Sequence, residues 1–89
     1  MAISKAIYNE AFELRQRKDQ DYNSGGVGID DYFPFKDQSY MHEINKKVLR
    51  LKSLIAAGHE PCNESIRDNL IDLVNYCVIY AEYLDHAQV

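Results

Sequence analysis

The segment ESIRDNLIDLVNYCVIYAEYL at residues 64–84 predicts a long helix around which the rest of the chain is organised. Its apolar residues recur at steps of three and four, which is the period of one helix face. That stripe consists of Ile66, Leu70, Leu73, Val74, Cys77, Ala81 and Leu84. From Leu73 onwards the helix is apolar nearly all round, so we expect it to be buried on several sides, with Cys77 as a small core residue.

An acidic stripe lies beside the apolar one. Glu64, Asp68 and Asp72 are spaced at i, i+4 and i+8, so they share one side of the helix. Like charges in this arrangement repel, and a cation, a basic partner helix or water would compensate them. Asp68 has a second interpretation, because Ser65 and Asp68 match a capping box at a helix start. Asn63 is the competing N-cap.

The chain has 89 residues, of which 46% are hydrophobic and 27% charged, with a net charge of −4. This composition predicts a single small folded domain over residues 1–89. A chain of this size buries only about 60–65% of its unfolded surface, so its stability is modest unless subunits associate. The negative charge argues against bulk binding to nucleic-acid backbones. No membrane span or signal peptide is recognisable, so we expect a cytoplasmic protein.

Two further helices are predicted before the long one. The first covers residues 4–19 and the second residues 38–57, with Gly58 as the glycine that ends the second. The turn HEPCN at residues 59–63 joins it to a third helix at residues 63–86, and so short a turn implies an antiparallel pair. Because no strand-like alternation is present, the predicted fold is all-α: a compact antiparallel three-helix bundle.

A long loop at residues 20–37, rich in glycine and aromatic residues, separates the first two helices. Its three glycines stop any helix, and Pro34 favours an extended backbone before it. Loops of this length are uncommon in compact domains and usually act as lids or binding loops. The aromatic residues of the loop are Tyr22, Tyr32, Phe33 and Phe35. They favour an ordered flap that packs back on the helices.

The second helix is basic, and its antiparallel pairing brings Lys47 and Arg50 towards the acidic stripe. One interpretation is a network of ion pairs that only holds the two helices together. The other is a functional site, in which Glu64, Asp68 and Asp72 bind Mg²⁺ directly or through water, since this ion takes oxygen ligands and bridges to phosphates. Lys47 and Arg50 would then bind the remaining phosphate oxygens.

Three blocks of the sequence carry a resemblance to a known family. They are Lys18-x-x-Asp21-Tyr22, then Lys47-x-x-Arg50-Leu51 after a glycine-containing loop, then Glu64-Ser65-x-x-Asp68-x-x-x-Asp72-Leu73-x-Asn75-Tyr76. Over about residues 5–84 this order resembles the nucleotide modification associated domain 1 family, which consists of small, mostly phage-encoded helical proteins.

The resemblance implies a helical protein linked to nucleotide or DNA-base modification, located in the cytoplasm of a phage-infected bacterial cell. Its implied ligand is a nucleotide or nucleotide-like small molecule. The residues expected to bind it are Lys18, Asp21, Tyr22, Lys47, Arg50, Asn75 and Tyr76. The expected metal ligands are Glu64, Asp68 and Asp72, with Mg²⁺ as the cofactor. Tyr22 would stack on a base from the flap, and no catalytic residue is assigned.

Three functions remain open at the level of sequence. The chain is also remotely similar to MazG-like all-α nucleotide pyrophosphohydrolases, in which acidic residues of two helices bind Mg²⁺. It departs from their pattern because its second helix offers only Glu43, followed by Lys46 and Lys47. The alternatives are a hydrolase, a nucleotide binder without turnover, and a phage protein that binds or inhibits another enzyme. We also expect self-association through residues 73–84, which carry more apolar surface than two neighbouring helices cover.

Overall fold

The computed structural model describes residues 3–26, 28–58 and 61–87, without the side chains of residues 22–24, 29, 61–64 and 87. These described residues form four helices and contain no strand, which confirms the all-α prediction. The helices are α1 (Ala6–Ser24), α2 (Ile29–Tyr32), α3 (Asp37–Ala57) and α4 (Pro61–Ala87). Within the described part of the chain, no helix is both long enough and apolar enough to cross a membrane.

The largest differences from the predicted boundaries follow residue 19. The prediction ended the first helix there and assigned residues 20–37 to a loop, whereas α1 continues to Ser24 and α2 lies within the expected loop. Residues 20–24 contain no glycine or proline that would break a helix. The break comes at Gly25 and Gly26, and Gly26 has a φ of +75°, a conformation that glycine adopts without strain.

The connection from α2 to α3 is built from local hydrogen bonds. At the start of α2, the Asp31 carboxylate accepts a hydrogen bond of 2.9 Å from the backbone N–H of Gly28. Before α3, the Ser39 hydroxyl accepts one of 2.7 Å from the N–H of Phe35. Lys36 precedes α3 with a φ of +56°, which is uncommon for a residue other than glycine. The flap is therefore ordered over its described residues.

α4 lies between α1 and α3 and packs on both. Tyr40 near the start of α3 stacks on Tyr80 late in α4, while Lys47 further along α3 contacts the earlier Asp72. α3 and α4 are therefore antiparallel, as predicted. In the described ranges the backbones of α1 and α3 do not approach each other closely. The three long helices thus do not close into the compact bundle that was predicted, and a groove above α4 separates α1 from α3.

Aromatic rings fill one end of the α3–α4 contact. Phe33 is buried and stacks on Tyr40 with 4.3 Å between ring centroids, and Tyr40 stacks on Tyr80 at 5.1 Å. The expectation that the flap packs its aromatic residues on the helices is confirmed for Phe33. Phe35, with an exposed fraction of 75%, lies at the surface, and Tyr32 is about half exposed.

The apolar stripe predicted to be the core face of α4 lies largely at the surface. Leu70, Cys77 and Leu84 are exposed, so the assignment of Cys77 to the core is wrong. The buried positions of α4 are instead Ile71 and Asn75, which lie on another side of the helix. The period of the apolar residues identified a helix, but α1 and α3 cover a different face of it.

α4 also begins earlier than either predicted N-cap. It starts at Pro61, and proline is favoured at the first helical position because its φ is already helical and its missing N–H needs no partner there. Asn63 and Ser65 therefore lie inside the helix, and the capping-box interpretation of Ser65 and Asp68 is wrong. Within this helix the side-chain amide of Asn69 donates a hydrogen bond of 2.7 Å to the Ser65 carbonyl oxygen, one turn earlier.

Candidate functional site

Asp72 joins all three long helices across the groove. Its Oδ1 accepts a hydrogen bond of 3.2 Å from Lys18 Nζ of α1, and its Oδ2 accepts one of 3.0 Å from Lys47 Nζ of α3. Burial of Asp72 by itself would raise its pKa, but the hydrogen bonds from Lys47 and Lys18 outweigh burial and hold the pKa below its usual value. Asp72 is thus an ionised bridge between two ammonium groups.

A cationic cleft opens between α3 and α4 next to this bridge. Its volume is about 640 Å³, and its lining residues are Glu43, Lys46, Lys47, Leu49, Arg50, Asn69 and Tyr76. Lys46 lies 3.3 Å from the carboxylate of Glu43, and Lys47 is paired with Asp72 outside the cleft. Arg50 has no ion-pair or hydrogen-bond partner among the described residues, so its guanidinium is available to a ligand.

A small cavity of about 30 Å³ lies on the other side of Asp72. Its lining residues are Arg15, Lys18, Asp19, Phe33, Asp72, Asn75, Tyr76 and Ile79. Asn75 is only 9% exposed, and its buried Nδ2 has no hydrogen-bond partner within the described part of the chain. A cavity of this volume has room for a water-sized acceptor beside the amide. Tyr76 lines both spaces and so connects the cavity with the cationic cleft.

The expected binding residues are partly brought together. Lys18, Lys47, Asn75 and Tyr76 surround Asp72, and Arg50 lies in the adjoining cationic cleft. Asp21 is exposed on α1 and lines neither space. Tyr22 was predicted to stack on a base, and its side chain lies outside the described residues.

The expected metal ligands do not form a closed set in the described structure. Asp68 is exposed, both oxygens of Asp72 accept hydrogen bonds from lysines, and the Glu64 side chain lies outside the described residues. Across the described ranges, no three His, Cys, Asp or Glu side chains come together as a metal site.

The sequence analysis did not assign Arg15, Glu82 or Asn69 to the site, and it expected Phe33 only as part of the flap. Arg15 binds Glu82 with two hydrogen bonds of 2.9 and 2.6 Å, and this hydrogen bonding raises the Arg15 pKa and lowers that of Glu82. Phe33 covers the small cavity, and Asn69 lines the cationic cleft. No local pattern marks such contacts, since Arg15 and Glu82 are 67 residues apart.

A family model described as nucleotide modification associated domain 1 matches residues 8–81. The chain belongs to this family. The matched region contains Lys18, the cationic cleft and the Asp72 bridge, so the geometry described above lies within the domain that defines the family. No curated protein and no solved structure matches the chain significantly, and the remoter similarity to MazG-like enzymes therefore stays a prediction.

Proposed function

We propose that this nucleotide modification associated domain binds a nucleotide or nucleotide-like molecule, with its phosphates in the cationic cleft. The observation that carries the proposal is the charge of the cleft. Among the described residues three cations and one carboxylate line it, although the whole chain has a net charge of −4. A local cation cluster on an acidic chain favours a small anionic ligand, because the overall charge repels a long polyanion.

The cations of the cleft suit phosphate oxygens. Arg50 offers a planar guanidinium without a described partner, and such a group binds phosphate through two parallel hydrogen bonds. Lys46 and Lys47 lie in the preceding turn and add two ammonium groups. The volume of about 640 Å³ is within the range of about 300–1,000 Å³ that is usual for small-molecule sites.

Tyr76 and Asn69 are the candidates for contacts with the rest of the nucleotide. An aromatic face stacks on a base with about 1–3 kcal/mol, and Tyr76 lies beside the phosphate-binding cations. The amide of Asn69 has a hydrogen-bonding oxygen in addition to the nitrogen that it uses within α4. The family name, which refers to nucleotide modification, supports this class of ligand.

We also propose that a hydrated Mg²⁺ ion binds together with the phosphates of the nucleotide. Asp68, exposed and one turn before Asp72, is the carboxylate of the acidic stripe that we propose to hold the water ligands of this ion. Mg²⁺ keeps several of its water ligands when it bridges to substrate phosphates, so a complete set of protein ligands is not required. Whether the bound nucleotide is then hydrolysed is a separate question that product analysis answers.

The test is calorimetric titration of the whole chain with nucleoside mono-, di- and triphosphates, with and without Mg²⁺. We expect Arg50→Ala to weaken binding about tenfold or more, since a charge-assisted hydrogen bond contributes about 1.5–3 kcal/mol. Lys52→Ala is the matched control, because it removes one positive charge from exposed α3 surface that does not line the cleft. Equal weakening by both variants would show a general charge effect and contradict the assigned site.

The competing function is that of a protein that binds or inhibits another enzyme. It is favoured by the amount of apolar surface that the chain exposes, which includes Phe12 at 61% and Ile55 at 65% exposure. No binding of any nucleotide at millimolar concentration, by chain shown to be folded, would make this the better explanation. The polar groups around Asp72 would then serve only to hold the helices together.

A further inference from the structure

The isolated chain exposes more surface than a compact monomeric protein of the same mass. Its accessible surface is 6894 Å², whereas a compact protein of 10.3 kDa exposes about 5,400 Å². Its radius of gyration is 14.8 Å, against about 12 Å for a compact domain of this length. In the described residues, no large side chain is completely buried. These observations agree that the chain leaves an unusually large surface exposed for its mass.

The exposed apolar surface includes a continuous strip on α4. Leu70, Val78 and Leu84 are 47%, 42% and 40% exposed, and Cys77 and Ala81 between them are exposed as well. These five residues, which we call the outer stripe, lie on one side of the helix and span about 21 Å along it. Neither α1 nor α3 covers the outer stripe. Lys18 of α1 and Lys47 of α3 both contact α4 at Asp72, which lies on the opposite side of the helix from the stripe.

We infer that a second copy of the chain covers the outer stripe, with the two α4 helices antiparallel about a two-fold axis. The charges flanking the stripe indicate this partner. Arg67 and Asp85 are 18 residues apart, which is about five turns, so they lie on the same edge of α4. An antiparallel pair places each Arg67 next to the partner subunit's Asp85, whereas a parallel pair would bring like charges together.

Arg67 is able to take part in this contact while keeping its contact within the chain. Its guanidinium binds Glu10 at 2.6 and 2.7 Å, yet half of the Arg67 side chain is exposed. The surface in excess of a compact monomer is about 1,500 Å² per chain. This excess is spread over the whole chain, and the outer stripe is one part of it. A standard interface needs about 800 Å² per partner, which is about half of the excess.

The first test is sedimentation equilibrium of the full chain. We expect a mass twice that of the 10.3 kDa chain at micromolar concentration, and a shift of the dimer dissociation constant by at least about a hundredfold in Leu70→Glu. Phe35→Glu is the matched control, since Phe35 is 75% exposed and lies among residues of α2 and α3 rather than of α4; it should leave the dimer intact. A monomer at about 100 µM unmodified chain would overturn the inference.

The second test uses Cys77 as a native probe and does not depend on a destabilising variant. The midpoint between Arg67 and Asp85 is residue 76, so the two Cys77 thiols of a dimer lie close to the two-fold axis. We expect a short bismaleimide to join two chains through Cys77 in the Cys62→Ser variant, and Cys77→Ser to abolish the joining. Joining that persists without Cys77 and requires Cys62 would contradict this interface.

The direction of the helices has its own control. In a Cys62→Ser, Cys77→Ser background, Leu70→Cys places thiols about 18 Å apart along an antiparallel pair, which a short cross-linker does not span. A parallel pair would bring the same thiols together. Efficient joining through residue 70 would therefore contradict the antiparallel arrangement, while its absence, together with joining through Cys77, supports it.

Discussion

The two sides of α4 are held by different kinds of interaction. Towards α3 and the preceding flap the contact is mainly aromatic and apolar, with Phe33, Tyr40 and Tyr80 stacked and Leu54 buried. One ion pair, between Lys47 and Asp72, adds to it. Towards α1 the described contact consists mainly of ion pairs around one buried alanine, Ala11. These pairs are Glu10–Arg67, Arg15–Glu82 and Lys18–Asp72.

This difference separates the molecule into a stable hairpin and a helix attached mainly by charge. Burial of aromatic surface is insensitive to salt and to mild acid, whereas partly exposed ion pairs are screened by salt and lost when carboxylates are protonated. We therefore expect that detaching α1 needs less free energy than separating α3 from α4. Regions with few buried apolar contacts are the ones that open most easily in proteins.

The largest effect is expected from the aromatic side. Tyr40 is 2% exposed and contacts Phe33, Tyr80 and Tyr83, so Tyr40→Ala should lower the free energy of unfolding by about 3–5 kcal/mol. Urea denaturation followed by circular dichroism measures this. Tyr8→Ala is the control, because Tyr8 is 66% exposed and should change stability by less than about 0.5 kcal/mol. Similar effects of the two variants would contradict the assigned aromatic core.

Acid should release α1 before the hairpin. The pKa values of Glu10 and Glu82 are lowered by hydrogen bonds from Arg67 and Arg15, and that of Asp72 is also lowered. A carboxyl whose folded pKa is depressed stabilises the fold above its unfolded pKa, and this contribution is lost as the pH falls through the folded pKa. Below about pH 4 the protection of α1 amides against hydrogen exchange should fall about tenfold more than that of α3 amides. Parallel losses in both helices would contradict the comparison.

A smaller change in stability is expected from a single ion pair between α1 and α4. In a double-mutant cycle of Arg15→Gln and Glu82→Gln, we expect a coupling of about 0.5–1 kcal/mol that decreases in 1 M salt. The control cycle is Lys46 with Glu43, a pair within α3 that should couple by only about 0.3 kcal/mol. Coupling of Arg15 with Glu82 that is zero at low salt would show that the pair does not hold α1.

Much of the fold follows from local sequence patterns. The second helix was predicted at residues 38–57 and is found at Asp37–Ala57, ending at Gly58 with a φ of +70°. The antiparallel hairpin and the proximity of Lys47 to the acidic stripe were predicted as well, because a short turn and two helical periods determine them. The C-terminal end of α1 was not predicted, since the last turn of this helix consists of polar residues without a periodic apolar signal.

The buried face of α4 shows why periodicity has a limit. An apolar stripe indicates where a helix avoids water, but it does not say whether the same chain or another one covers it. Leu70 and Leu84 therefore gave the same signal as a core, while the chain itself buries Ile71 and Asn75. Prediction of the site has a similar limit. The spacing of Lys47 and Arg50 predicted that both approach the acidic stripe. The ion pair between Lys18 and Asp72 was not predictable from a local pattern, because these residues are 54 positions apart.

The most direct measurement uses the Asp72→Asn variant, because Asp72 of α4 forms ion pairs with both α1 and α3. We assign Asp72 to the lysine bridge and propose that the phosphates bind in the cationic cleft. A lower melting temperature is therefore expected for Asp72→Asn, together with nucleotide affinity that is retained, since Lys47 stays cationic and Arg50 is untouched. An unchanged melting temperature with abolished Mg²⁺-dependent nucleotide binding would contradict this assignment and make Asp72 a ligand of the metal.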